Sequence, residues 1–149
     1  MNQYIKQISS ILADLRTDGE VLVSRWPAPV PFSPAEMGLK EDSEKISLPD
    51  GLDLLNIKLI SEMLPSVNCT VFEVIGSTNT EMLKVLDSHQ INDLLYLAEF
   101  QYGGRGRRGR TWISPYARNL AISLGIETNL TIGSISSLSL VVGLSFAHC

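Results

Sequence analysis

Cysteine is scarce in this chain, and its composition is that of a globular protein. Two cysteines, Cys69 and Cys149, occur in 149 residues, which excludes a disulfide framework. The first residues are charged and amphipathic, unlike a signal peptide, so a cytoplasmic location is expected. The segment 130–147 has no charged residue, but it holds five serines and is barely long enough to span a bilayer. A buried helix is therefore predicted there.

Acidic residues are missing from one long window, between Glu99 and Glu127, although the net charge of the chain is −4. The same window contains the segment GGRGRRGRT (103–111), in which four arginines are interspersed with glycines. The positive charge is therefore local. It favours an anionic small molecule as the ligand and argues against a generally basic surface for DNA.

Hydrophobic spacing predicts a mixed α/β fold with helices packed on a sheet. Helices are predicted over 3–16, 51–64 and 76–86, and strands over 69–75, 94–100 and 119–126. Thr78 and Glu81 have the spacing of a capping box at the start of the third helix. In the last strand, large apolar residues alternate with small ones, which predicts one well-buried face. These large residues are Leu120, Ile122, Leu124 and Ile126.

Four prolines crowd into the ten residues RWPAPVPFSP (25–34). Proline lacks the backbone N–H that helices and sheets need, and at this density it excludes the interior of either. The segment 25–48 is therefore predicted to be an extended linker.

Four interpretations fit the glycine–arginine loop, which we define as residues 102–114. Gly104, Gly106 and Gly109 spell the dinucleotide-binding pattern G-x-G-x-x-G, and the same stretch approximates a P-loop with arginine in place of lysine. Both motifs need a helix to begin there, whereas the following TWISPYARN is short and disfavours helix. A flexible clamp needs only glycines for close approach and arginines to bind phosphate or carboxylate. A solvated surface loop, or an RG segment that binds nucleic acid, is the remaining interpretation.

From about Ser47 to its end, the chain resembles the catalytic domain of bacterial biotin protein ligases. SLPDGLDLLNIKLI (47–60) is similar to the entry segment of that domain, and GSTNTE (76–81) is similar to its S-T-N turn. AEFQYGGRGRRGRTWISPYARNL (98–120) is similar to the long and specific signature of the family. The resemblance implies an α+β fold of the biotin/lipoate protein ligase type, with a mixed sheet and packed helices.

The same resemblance divides the chain into an N-terminal helix with a Pro-rich linker (1–46), at most a degenerate winged-helix remnant, and an incomplete catalytic domain (47–149). Prolines occupy the place of the recognition helix, which argues against DNA binding. The family's K-W-P-N-D stretch, its later strands and its C-terminal domain do not appear before Cys149. We therefore expect a truncated or rearranged ligase with impaired turnover. The alternative is a vestigial or regulatory fragment that binds biotin or biotinyl-AMP, and a homodimer is implied for the complete family member.

The resemblance implies that ATP and biotin are substrates: biotin is activated to biotinyl-AMP and passed to a lysine of the biotin carboxyl carrier protein of acetyl-CoA carboxylase. Mg2+ is implied with ATP, but the sequence shows no ligand cluster, and no metal residue is assigned. Arg107 is the predicted catalytic residue. Biotin or biotinyl-AMP is expected to contact Ser77, Thr78, Asn79, Gln101, Arg105, Gly106 and Arg107. The nucleotide loop is expected to use Gly104, Arg108, Gly109, Arg110 and Trp112.

Overall fold

The computed structural model describes residues 3–86, 93–135 and 137–148, so His89 and Cys149 lie outside the described residues. Within this part, the side chain of Arg107 is also not described. The described chain forms two three-stranded sheets with helices packed on them. The fold is therefore mixed α+β, as the sequence predicts.

The N-terminal helix α1, Gln3–Asp18, buries one stripe of apolar residues and confirms the predicted helix. The stripe consists of Ile5, Ile8, Ile11, Leu12 and Leu15. Gly19 ends the helix at φ +82°, a conformation that a residue with a side chain disfavours. Three short strands follow as an antiparallel sheet in the order β1-β3-β2. They are β1 (Glu20–Leu22), β2 (Lys40–Glu41) and β3 (Lys45–Ser47).

The prediction of an extended linker over 25–48 is wrong for its second part. Residues 26–39 contain no helix or strand, as the prolines dictate, but β2 and β3 lie in the same segment. Several of its apolar side chains are buried in one core with α1: Phe32, Met37, Leu39 and Ile46. The same core contains Val74, Phe100 and Tyr116 from the second half of the chain. Proline prevents regular hydrogen bonding, but it does not keep neighbouring apolar side chains in water.

The second sheet contains the candidate site. β4 (Asn68–Ile75) runs parallel to β5 (Leu94–Gln101), and β6 (Ala121–Gly125) pairs antiparallel with the other side of β5. α3 (Thr78–Leu86) is the crossover helix between the two parallel strands, and it packs on β5 and β6. The predicted helix and strands of this region are confirmed, with ends that differ by one or two residues.

Helix α2, Ile57–Met63, is shorter than the predicted 51–64. Asn56 caps it, because its side-chain oxygen accepts from the backbone N–H groups of Lys58 (3.1 Å) and Leu59 (3.2 Å). The apolar residues before Asn56 suggested an earlier start. They lie in an irregular segment instead, where the Leu55 N–H donates to the Glu99 carboxylate at 2.6 Å.

Two predictions of burial are wrong. The large residues of β6 face solvent, and Ile122 is 42% exposed, whereas Ala121 on the other face is buried. β6 is an edge strand of the described sheet, and α3 covers its small-residue face. In place of one buried helix, the chain forms α4 (Ile132–Ile135) and α5 (Leu138–Ala147), and Leu140 of α5 is 71% exposed. None of the described helices combines the length and apolar character needed to cross a membrane.

Candidate ligand-binding site

A cavity of about 270 Å³ opens where β5 ends and α3 begins. Seven of its lining residues belong to the site predicted from the sequence: Ser77, Thr78, Asn79, Gln101, Gly104, Arg105 and Trp112. The prediction missed four residues of its wall: Leu120, Ala121, Ile122 and Ser123. The signal for Ser123 was present in the alternation of β6, since a face of small residues is suited to close approach by another element.

Strand topology explains why these residues meet. Because β4 and β5 are parallel, their carboxyl ends lie at the same edge of the sheet, and Ile75 pairs in register with Gln101. The chain leaves β4 through Gly76 and begins α3 at Thr78, so the first turn of the helix faces the end of β5. The Gly103 N–H donates to the Gly76 carbonyl at 2.7 Å, which holds the start of the glycine–arginine loop against this turn.

Thr78, Gln101 and Ser123 form a polar network at the buried end of the site. Gln101 Oε1 accepts from the Thr78 backbone N–H at 2.7 Å and from the Thr78 hydroxyl at 3.1 Å. The hydroxyl oxygens of Thr78 and Ser123 are 2.9 Å apart. Thr78 is 2% exposed and Gln101 is 8% exposed, so these bonds satisfy groups that water barely reaches. The network ties α3 to both β5 and β6.

The predicted capping box of Thr78 and Glu81 does not form. Ser77 precedes the helix instead, and its hydroxyl accepts from the Thr80 N–H at 3.4 Å. The hydroxyl of Thr78 is occupied by the polar network. Glu81 pairs with Lys84 at 2.5 Å on the exposed side of α3. Two adjacent hydroxyl residues could each cap this helix, and burial of Thr78 against Gln101 decides between them.

Space requires glycine at the start of the glycine–arginine loop. A Cβ atom on Gly104 would overlap the indole ring of Trp112 and lie 2.7 Å from its Nε1 atom. A Cβ atom on Gly106 would lie 2.9 Å from the Cβ atom of Arg110 and closer still to its carbonyl oxygen. The loop folds back on itself here, because the Gly106 N–H donates to the Arg110 carbonyl at 3.2 Å. The aromatic ring of Trp112 therefore rests directly on backbone.

Three arginines of the loop have no ion-pair partner among the described residues. Arg105, Arg108 and Arg110 are exposed, and none of them forms an ion pair among the side chains that the structure describes. Arg105 lines the cavity. Arg107 lies in a short 3-10 turn at 107–109, and its side chain is outside the described part, so its catalytic role stays a prediction from the sequence. Four predicted residues do not line the cavity: Gly106, Arg108, Gly109 and Arg110.

The backbone after the loop excludes the two interpretations that depend on a helix. Residues 111–120, all described, contain turns and no helix, and β6 begins at Ala121. No helix therefore begins directly after this loop, although the dinucleotide motif and the P-loop both require one there. The flexible clamp and the solvated loop need no helix. The cavity that the loop borders favours the clamp.

Backbone hydrogen bonds anchor the chain just after the loop. The Tyr116 N–H donates to the Met37 carbonyl at 2.8 Å, and the Ala117 N–H donates to the Glu99 carbonyl at 3.0 Å.

Burial, with a further contribution from the Glu73 carboxylate, raises the pKa of the Tyr116 hydroxyl well above its ordinary value. Burial also raises the pKa of the Glu99 carboxyl. Both groups therefore favour their neutral forms more than they would in water.

The Mg2+ that the resemblance implies with ATP is not matched by a ligand set. Across the described ranges, no three Asp, Glu, His or Cys side chains are grouped so that they could hold a metal ion. The cavity is lined by hydroxyls, amides, apolar groups and Arg105, whereas Mg2+ prefers carboxylate oxygens and water. No catalytic step is therefore assigned to a metal here.

The chain combines a β4–α3–β5 unit, a polar network at the carboxyl ends of its strands and a glycine–arginine loop after β5. These features define it as an α+β protein with a candidate ligand-binding site at the edge of its second sheet. The profile of the Biotin/lipoate A/B protein ligase family matches residues 71–148, which is more than half of the chain. The chain belongs to this family.

Individual relatives narrow the similarity further. The chain is 39% identical over 102 residues to the bifunctional ligase/repressor BirA of Escherichia coli (strain K12) and to that of Salmonella typhimurium (strain LT2), over 68% of this chain and 32% of each relative. It is 32% identical over 72 residues to the biotin--[acetyl-CoA-carboxylase] ligase of Mycobacterium tuberculosis (strain H37Rv), over 47% of this chain and 27% of the relative. The chain thus spans about a third of the length of the curated relatives that it matches.

Proposed function

We propose that this chain binds biotin and activates it with ATP, as a biotin–[biotin carboxyl-carrier protein] ligase does. The observation that carries the proposal is one cavity that combines the Thr78–Gln101 network with Gly104 and Arg105 of the glycine–arginine loop. Biotin has a neutral ureido group at one end and a carboxylate at the other, so neutral polar groups and an arginine suit its two ends. Family membership and the similarity to relatives named as biotin ligases support the proposal.

In the first step, a carboxylate oxygen of biotin attacks the α-phosphorus of ATP. A new P–O bond forms while the bond to the β-phosphate oxygen breaks, and pyrophosphate leaves with the bonding electrons. Negative charge concentrates on the α-phosphate oxygens in the transition state, where Arg105 and Arg107 would stabilise it. Closure of the glycine–arginine loop would keep water from the mixed anhydride.

In the second step, the biotin acyl group passes to a carrier-protein lysine. The neutral ε-amine attacks the acyl carbon, an amide bond forms, and AMP leaves with the electrons of the broken C–O bond. The proton that the amine loses passes to solvent. An arginine that holds the acyl phosphate also favours this step, because it stabilises the departing phosphate.

A binding protein without turnover is a second candidate, and a specific observation favours it. Leu120 and Ile122 line the cavity, yet both side chains are about half exposed, so the wall formed by β6 is open to solvent. Water that reaches an acyl phosphate hydrolyses it. We therefore expect carrier biotinylation by this chain to be slower than by a full-length relative.

Purified chain with biotin, ATP, Mg2+ and apo carrier protein tests both candidates. A ligase binds biotin in titration calorimetry, releases pyrophosphate only when biotin is present, and yields a carrier that streptavidin detects. Biotin binding without pyrophosphate release would establish the second candidate. Absence of biotin binding would refute both. Ser139→Ala, on the exposed face of α5, is a control that should behave as the wild type.

A further inference from the structure

The backbone fixes the orientation of the Gln101 side-chain amide. The Thr78 N–H is a donor only, and the atom of Gln101 that lies 2.7 Å from it must therefore be the acceptor, Oε1. The amide nitrogen Nε2 then points away from Thr78. Within the described residues, it has no hydrogen-bond partner. Gln101 lines the cavity, so this –NH2 group is the donor that it can offer to a ligand.

The same logic fixes the direction of the two hydroxyl protons. Gln101 Oε1 can only accept, so the hydroxyl that lies 3.1 Å from it, that of Thr78, donates its single proton there. The contact of 2.9 Å between the Thr78 and Ser123 oxygens then needs the proton of Ser123. The hydrogen bonds run in one direction, from Ser123 to Thr78 to Gln101. Ser123 has no proton left, and its free lone pairs can only accept.

We infer that Ser123 is a positioning and specificity-determining residue. It orients the Thr78 hydroxyl, and the two side chains that bond to this hydroxyl offer the cavity one donor, Gln101 Nε2, and one acceptor, Ser123 Oγ. This inference rests on the proposed function and names the group that the buried end selects. A cyclic urea or lactam edge, in which a carbonyl stands next to an N–H, matches that pair. A group with two acceptors, such as a carboxylate, would set a lone pair against Ser123. The cavity therefore orients biotin with its ureido edge on β6 and its carboxylate elsewhere.

A merely structural role for Ser123 makes a different prediction. A serine that only fills space on β6 would, once replaced, weaken every ligand by the same factor. A serine that accepts from a ligand N–H would weaken only ligands that have this N–H. Two analogues separate these cases: cyclic carbamates in which one or the other ureido N–H of biotin is replaced by a ring oxygen. One of them sets an oxygen lone pair against Ser123 Oγ.

The experiment measures dissociation constants of biotin and both carbamates for the wild type, Ser123→Ala and Ser123→Thr. For the wild type, one carbamate should bind more weakly than biotin by on the order of tenfold, the effect of one lost hydrogen bond and a lone-pair repulsion. In Ser123→Ala, biotin should weaken by about threefold to tenfold, and the penalty of that carbamate should shrink to about twofold or less. Ser123→Thr keeps the hydroxyl and should restore the wild-type pattern.

The outcomes separate this inference from the proposed function. If the wild type does not bind biotin, the proposed function is wrong and the inference falls with it. If the wild type binds biotin but the carbamate penalty is equal in the wild type and Ser123→Ala, only the inference is overturned. Thermal unfolding shows whether Ser123→Ala folds. If Ser123→Ala does not fold, the wild-type dissociation constants alone test the inference. Two carbamates that bind as tightly as biotin would exclude an acceptor at Ser123.

Discussion

The guanidinium of Arg16 donates a hydrogen bond of 2.7 Å to the hydroxyl of Tyr116, 100 residues further along the chain. The same hydroxyl donates to Glu73 at 3.2 Å, and Arg16 forms an ion pair with Glu73. One half-buried polar cluster therefore joins α1, β4 and the end of the segment that follows the glycine–arginine loop. The position of the loop's far end depends on this cluster as well as on the sheet.

Tyr116→Phe removes the hydroxyl that joins Arg16 and Glu73, and it leaves their ion pair in place. Hydrogen bonds to charged groups contribute about 1.5–3 kcal/mol when buried, and partial exposure of both ions lowers this, so we expect a loss of about 1–2 kcal/mol in the free energy of unfolding. Urea unfolding followed by circular dichroism measures it. Tyr96→Phe is the matched control, because the Tyr96 hydroxyl has no hydrogen bond with the described residues. Equal losses in the two variants would contradict a role for the cluster.

Glu99→Gln should change the pH dependence of stability. Burial raises the pKa of Glu99, opposed first by the hydrogen bond from the Leu55 N–H. A group whose pKa is raised by folding stabilises the fold fully below its unfolded pKa, near 4, and this contribution is lost as the pH rises through the folded pKa. The stability of Glu99→Gln relative to the wild type should therefore increase from about pH 4 upward, because glutamine keeps an acceptor and does not ionise.

The measurement is urea unfolding of both proteins between about pH 4 and pH 8. Glu41→Gln, on the exposed strand β2, is the control for removal of a surface carboxylate. A stability difference that stays constant across the series would show that Glu99 titrates in the fold as it does in the unfolded chain.

Gly104→Ala should displace the indole of Trp112, because the added Cβ atom would overlap the ring. Overpacking of this kind costs about 1–3 kcal/mol. Both residues line the cavity, so biotin affinity should fall by on the order of tenfold. Calorimetry measures this loss. Gly143→Ala is the control, since open space surrounds that position in α5, and unchanged affinity in both variants would show that the ring moves away without affecting the site.

Arg107→Ala should weaken retention of biotinyl-AMP more than binding of biotin. A charge-assisted hydrogen bond to the acyl phosphate is worth about 1.5–3 kcal/mol, or roughly tenfold or more in affinity. Competition binding with both ligands measures the difference. Arg118→Ala is the matched control, because the Arg118 guanidinium donates to the Asp50 carbonyl at 2.8 Å and does not line the cavity. Equal losses for both ligands in Arg107→Ala would show that Arg107 does not distinguish biotinyl-AMP from biotin, and would contradict its predicted role.

Amide hydrogen exchange should be fast over 107–113 in the free protein and slow in β5. Outside the isolated 3-10 turn at 107–109, the Gly106 N–H is the one described backbone donor within 104–113 that bonds to another backbone group, so little regular hydrogen bonding protects the loop. Biotin with ATP should protect the loop, because an anion neutralises its arginines and orders it. Protection equal to that of β5 without ligand would contradict a flexible clamp.

Local patterns predicted the part of the site that lies on regular elements. Thr78 begins a helix and Gln101 ends a strand, and periodicity together with the family signature placed both. Ser123 was missed because hydropathy ranks Ile122 and Leu124 as core residues on any strand. On an edge strand, the buried face is the one that a neighbouring helix covers. Here α3 packs closely on β6, and this requires small residues on the face of β6 that it covers. The alternation of β6 shows that one face is made of small residues, whereas the topology decides that α3 covers this face.

The prediction of a linker in the N-terminal segment fails for a related reason. Its prolines correctly excluded regular structure over 26–39. The apolar residues between them follow no period, so no pattern indicated that Phe32 and Met37 enter the core. Their burial depends on partners far along the chain, such as Phe100 and Tyr116, which a local window does not include.

The shared core of α1 has a consequence for biosynthesis. Its apolar stripe packs in one cluster with Val74, Phe100 and Tyr116. During translation, α1 leaves the ribosome long before these partners are made. Until then its apolar stripe stays exposed to solvent or is bound by a chaperone. The N-terminal sheet is therefore not expected to reach its final packing until synthesis has passed Tyr116, whose hydroxyl completes the cluster with Arg16. Nascent chains that stall before this residue should be sensitive to protease along α1, and chains that stall well beyond it should be resistant.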